Sequence, residues 1–244
     1  WLKLSGDVVE APAITGYRSY SDIEYELNYG NNLISFPSDE GFSIEAALPD
    51  NLDGILYGIL GEGQTALYED GSWYGSLTSF EGFRGYWFKT TEAVDFSFNI
   101  SDNSSIVNSD NHNNINEIRL QGYDVTQSST QAAYFVRELP QANIGDFIIA
   151  YHNGDVIGTR EWNGEMVDIP VMGNDGESYS SNYINAGDTP VFTLYHTATG
   201  EEEKLHGNIP DFANNEIFIM DLLSTENLLL PSKVQLHKAY PNPF

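Results

Sequence analysis

Cysteine is absent from this chain of 244 residues. Disulfide staples, thiolate nucleophiles and cysteine metal ligands are therefore excluded, and stability must come from packing, hydrogen bonds or bound ions. Basic residues are scarce as well: 10 Lys and Arg stand against 36 Asp and Glu, a formal charge of −26. That field repels phosphate backbones and anionic bilayers, so no nucleic-acid partner is expected. No run of about 18 apolar residues occurs, so no membrane span is expected. The Gly-x-Ser-x-Gly elbow, the Walker loop and a dinucleotide fingerprint after a strand are all missing. The five histidines, His112, His152, His196, His206 and His237, are scattered and lack metal-ligand spacing. Carboxylate pairs are plentiful, but in so acidic a chain their abundance is weak support for acid–base catalysis. The expectation is a protein that is not an enzyme.

What the chain does contain is enough apolar matter for a core: 41% hydrophobic and 13% aromatic residues rule out wholesale disorder. Apolar and polar residues alternate with a period of two, interrupted by Gly, Asn and Asp, as in Glu24–Tyr29, Val94–Phe98 and Val191–Tyr195. This pattern predicts short antiparallel strands. The best helical stretch is Ser43–Leu48, with Ser43 as N-cap and Pro49 as stop. Ile219 to Leu223 reads as helix or strand. Ser, Asn and Asp dominate residues 101–116, which favours turns and marks a partly ordered interdomain linker. The expected organisation is an all-β fold of two tandem antiparallel β-sandwich-like modules with little helix. The modules occupy residues 1–100 and 117–224, followed by a linker and tail over 225–244. The chain opens at Trp1, and the expectation is a mature piece of a longer precursor.

In the first module, Asn32-Leu33-Ile34-Ser35-Phe36-Pro37, Tyr68-Glu69-Asp70-Gly71-Ser72-Trp73 and Gly82-Phe83-Arg84-Gly85-Tyr86-Trp87 occur in order. Together they resemble an accessory β-module of secreted bacterial multidomain proteins, over Ile23 to Phe98. The resemblance departs at Asn31, where the family carries tryptophan, and it implies no catalytic role. Asp70-Gly71 is a hairpin signal between aromatic-rich flanks. Trp73, Tyr86 and Trp87 read either as a sugar-stacking platform or as core. Tyr86 and Trp87 are adjacent, so they point to opposite faces of a strand and at most one enters a one-sided core.

The second module carries Gly145-Asp146-Phe147-Ile148-Ile149-Ala150-Tyr151, a turn at Asn153-Gly154-Asp155 and Val156 to Trp162. Asp168-Ile169-Pro170-Val171-Met172-Gly173-Asn174-Asp175-Gly176 and Gly187 to Tyr195 follow. This order is similar to a second recurring β-sandwich module of exported proteins, over Tyr123 to Leu205. Asp146, Asp155, Asp175 and Asp188 each sit at a turn beside or near glycine. They read either as calcium ligands at one end of a sandwich or as strand-end caps. Calcium is the one cofactor the composition suggests. Trp73, Trp87 and Trp162 are the candidate ligand-binding aromatics.

The chain ends in Leu236-His237-Lys238-Ala239-Tyr240-Pro241-Asn242-Pro243-Phe244. Pro-Asn-Pro is a generic extended linker on physical grounds. The run also resembles the opening of the C-terminal sorting domain of the Bacteroidetes-type (type IX) secretion system. That resemblance implies a secreted or surface-attached protein whose tail is handled by the secretion machinery. The expected role is a non-catalytic binding, adhesion or spacer module acting on a polysaccharide or cell-surface component. The alternative is a structural subunit self-associating through β-strands into a filament or surface layer; a hydrolase is the third.

Overall fold

The computed structural model describes residues 23–100, 106–107 and 120–226. The Tyr240–Phe244 tail and His112 and His237 lie outside the described residues. The fold is all-β. The first module is built from β1 (Tyr25–Leu27), β2 (Gly30–Ser35), β3 (Gly41–Ser43), the one-turn α1 (Ile44–Ala47), β4 (Leu56–Leu60), β5 (Thr65–Glu69), β6 (Ser72–Tyr74), β7 (Ser79–Phe80), β8 (Gly85–Thr90) and β9 (Val94–Phe96). Its main sheet runs β2-β8-β4-β5-β6. Register places Ile34 opposite Tyr86, and Ile59 opposite Phe88 and Ala66, so these side chains share one face. That face is buried beneath α1 and the small sheets around it. Phe80 sits at the centre, with ring centroids 5.2 Å from Phe36, 5.0 Å from Tyr86 and 5.3 Å from Phe98. Such ring pairs each contribute about 0.5–1.5 kcal/mol beyond area burial.

Ser43 caps α1 as its sequence predicts, accepting a hydrogen bond from the Ala46 amide. Within the expected linker, β10 (Ile106–Val107) pairs antiparallel with β3. That segment is therefore tied back to the first module.

The second module contains β11 (Gln131–Glu138), β12 (Phe147–His152), β13 (Asp155–Glu161), β14 (Val167–Met172), β15 (Val191–Tyr195), β16 (Glu202–Lys204) and β17 (Ile217–Leu222). Two sheets, β14-β11-β17 and β13-β12-β15-β16, enclose a core that includes Tyr134, Ile148, Ile169 and Phe192. Asn153 and Gly154 both have positive φ, 50° and 93°, the type I′ geometry expected of the β12–β13 hairpin. The ambiguous Ile219 region resolves as strand β17, and it pairs parallel with β11, not antiparallel. The preceding strand, β16, lies in the other sheet, so no tight hairpin fixes the direction of β17.

The two tandem modules pack against each other. Gln131 through Val136 of β11 are all buried. Ala132, Tyr134 and Val136 enter the second core, while Ala133 and Phe135 turn outward onto Leu67 of the first module, beside Tyr74, Met166 and Ile217. Gly58 makes this approach possible, because a Cβ there would lie 2.3 Å from Ile217 Cδ1. Polar links surround the apolar contact. Buried Lys89 donates to Asn31 Oδ1 at 2.8 Å and to the Asn215 carbonyl at 2.7 Å, with Glu216 3.3 Å away. Gln131 donates to the Gly61 carbonyl at 2.5 Å. Arg137 pairs with Glu69 across the junction. Arg160 donates to the Gly63 carbonyl at 2.9 Å and to Asp168 at 3.2 Å, while Asp168 accepts from the Ser76 amide at 2.7 Å and its hydroxyl at 2.9 Å.

Removing one member of a buried, hydrogen-bonded ion pair costs about 3–5 kcal/mol, because the partner charge is left uncompensated. Asp168→Ala is therefore expected to lower unfolding free energy by about that amount in urea titration. A loss below about 1 kcal/mol, the range of exposed ion pairs, would show that the junction does not depend on this pair.

Candidate functional site

The described residues form an open cleft of about 170 Å³ in the first module. Local sequence builds each wall. Pro49 follows the single turn of α1, and a 3₁₀ turn over Asp50–Leu52 comes next. This change of direction sets Glu45, Asp50 and Asp53 around the mouth and Leu48, Leu52 and Leu56 in the floor. The opposite wall is the β5–β6 hairpin. Asp70 and Gly71 have φ of 49° and 81°, a tight two-residue turn that aligns Tyr68 with Trp73 across the strands. Their rings stand 5.0 Å apart with planes inclined at 51°. Both are half-buried, and Trp73 rests against the first core. The indole is thus braced from behind while lining an open cleft. All three carboxylates of the rim are exposed, and among the described residues no basic side chain lines the cleft.

Trp73 is the one candidate aromatic in this cleft. Trp87 lies on the other face of the same sheet, between its cross-strand neighbours Leu33 and Leu60, and is half-buried. Tyr86, one residue earlier, is in the core. Period-two alternation thus sets Trp87 on the face opposite Tyr86 and Trp73, and because Tyr86 is buried the three form no common platform. Trp162 needs a correction of a different kind. It is 5% exposed within the second core, so it offers no face for stacking.

The four aspartates proposed as calcium ligands are held in separate places. Asp146 is buried beneath the turn after β15. Its carboxylate accepts from the Asn143 amide (2.9 Å), the Thr197 amide (3.1 Å) and His196 Nδ1 (2.9 Å). Asp175 accepts from Ser129, Glu177, Tyr179 and Ser180. Asp155 is exposed at the start of β13, and Asp188 lies 3.4 Å from His152 Nε2. Among the described residues, no three His, Asp or Glu groups gather at metal-binding spacing. Asp146 and Asp175 thus act as strand-end and loop caps in this structure, with chain donors occupying their lone pairs.

Sequence reasoning passed over Tyr68, Glu45, Asp50 and Asp53. The signal for Tyr68 was present, since a two-residue Asp-Gly turn sets the residues flanking it by two on each side directly opposite one another. No comparable signal marked the carboxylates, whose approach to Trp73 depends on how the helix turn packs on the sheet. It also passed over His196, where both ring nitrogens meet carboxylates: Asp146 at 2.9 Å and Glu203 at 3.2 Å. Only an imidazolium donates to both. Burial lowers the His196 pKa, but the hydrogen bonds to Asp146 and Glu203 outweigh it, so the pKa is raised. Burial raises the pKa of Asp146, yet the donors from Asn143, His196 and Thr197 prevail and hold it below the usual carboxylate range.

These shifts have opposite linkage. A raised His196 pKa contributes stability that is complete below the unfolded value near 6.5 and is lost as pH rises through the folded pKa. A lowered Asp146 pKa contributes above the unfolded value near 3.8 and is lost as pH falls through its folded pKa. Melting temperature is expected to decline across the alkaline side of the His196 titration. The decline should be absent in His196→Gln, and equal slopes in the two proteins would refute the assignment.

Comparison of the chain with protein-family models, with curated proteins and with solved structures finds no match.

Proposed function

We propose that this chain is a non-catalytic extracellular binding module of an exported protein, and that it holds a glycan at the Tyr68–Trp73 cleft. The observation that carries the reading is an indole braced by the core yet lining an open, hydroxyl-accepting cleft. Sugar rings present apolar C–H faces that stack on aromatics and hydroxyls that donate to carboxylates, and this cleft supplies both partners. Its volume of about 170 Å³ is below the 300–1,000 Å³ of sites that enclose a drug-sized ligand. It therefore suits one ring of a longer chain, with the remainder outside. The tail of Tyr240-Pro241-Asn242-Pro243-Phe244 supports export through a type IX pathway. The resemblance of both segments to accessory β-modules of exported proteins supports a role without catalysis.

A second reading rests on β17. Among the described residues it is an edge strand pairing with β11 alone, and Ile219 and Leu222 are exposed along it. Long apolar edges accept strands from other chains, which fits a subunit that self-associates. The opposite-sheet edge, β16, is guarded by Glu202, Glu203 and Lys204.

Calorimetric titration with soluble polysaccharides, with and without calcium, tests the first reading. Trp73→Ala is expected to weaken binding about tenfold or more, equal to about 1.4 kcal/mol, while Trp87→Ala leaves it unchanged. Absence of binding to every polysaccharide would overturn it. Sedimentation at rising concentration tests the second, which a monomer throughout would overturn.

A further inference from the structure

We infer that the Tyr68–Trp73 cleft selects an amine-bearing glycan, one built from sugars with free amino groups, over neutral and uronic-acid chains. This inference rests on the glycan reading above and assigns the ligand its chemical class. Three observations converge. Among the described residues the cleft is lined by Glu45, Asp50 and Asp53 and by no Lys, Arg or His. Among the described residues of the surrounding module the basic side chains are committed elsewhere: Arg84 pairs with Glu62 and Glu81, and Lys89 is buried at the junction between modules. The third is the ring pair itself. An aromatic face carries negative potential and attracts an ammonium group, Trp most strongly.

Aromatic wall and acidic rim therefore act in the same direction. A uronate brings a fourth negative charge to a mouth already holding three carboxylates, within a protein of net charge −26. A neutral sugar gains stacking and hydroxyl hydrogen bonds only. An amino sugar gains these and also places its ammonium between the rings and the carboxylates. The exposed rim makes each charge contact modest, so the sum is expected to favour the amine by about tenfold over the N-acetylated sugar at low salt. The preference should shrink as salt shortens the screening length to about 10 Å at 0.1 M.

The test uses the full chain and four trisaccharides: glucosamine, N-acetylglucosamine, glucose and galacturonate trimers, all β-linked except the last. Calorimetry is expected to rank the amine first and galacturonate last. The triple variant Glu45→Gln, Asp50→Asn, Asp53→Asn keeps side-chain shape and hydroxyl-accepting oxygens; it should lose about tenfold for the glucosamine trimer and markedly less for the glucose trimer. Equal affinity for glucosamine and N-acetylglucosamine trimers, or no effect of the triple variant, overturns the inference while leaving glycan binding intact. So does glucosamine bound equally by wild type and Trp73→Ala, since that is general adsorption of a cation to an acidic protein. Failure of all four trimers and of all longer polysaccharides defeats the glycan reading itself.

Discussion

The double burial of β11 is the constraint on which the rest of this structure depends. A strand in a two-layer sandwich shows one face to the core and one to solvent. In β11 both faces are covered, Tyr134 by the second core and Phe135 by the sheet of the first module. Neither module has a complete surface without the other. Fully burying a side chain the size of Phe135 or Leu67 is worth about 1.5–3 kcal/mol each, so separating the modules would expose apolar area comparable to total domain stability. The polar groups at the junction follow from this. Asp168, Arg160, Lys89 and Gln131 are placed where water is excluded, so each needs a partner from the other module.

The docked sheet also fixes where a ligand site can lie. One face of β2-β8-β4-β5-β6 is taken by the first core and much of the other by the second module. The Tyr68–Trp73 cleft lies at the sheet margin, where the β5–β6 hairpin meets the turn after α1. A rigid indole at a margin is better placed for recognition than one inside a sheet, since its orientation is set by packing and its reach is not blocked. The three rim carboxylates are the local expression of a charge that extends over the whole chain.

Acidic side chains in this protein serve different ends according to their surroundings. Asp146 and Asp175 accept several donors and hold loops in place. Asp168 is buried, and burial raises its pKa against the pull of Arg160 and Ser76. Glu45, Asp50 and Asp53 remain exposed. The Asp–Gly juxtaposition that suggests cation loops in sequence is thus equally a signature of caps, and the number of chain donors distinguishes them.

The sequence by itself determined the local elements. Alternation named the strands, Ser43 and Pro49 bounded the one α-helical turn, Asp70-Gly71 and Asn153-Gly154 set two hairpins, and adjacency put Tyr86 and Trp87 on opposite faces. These are short-range properties, fixed by φ/ψ preference and side-chain period. Only the tertiary structure decided that Trp162 is core, that β17 runs parallel to β11, that the modules share an interface and that Trp73 stands beside Tyr68 and three carboxylates. Each of those depends on which face of one element meets another distant in sequence. Period and propensity carry no record of that choice, which follows from the joint burial of apolar area across the whole chain.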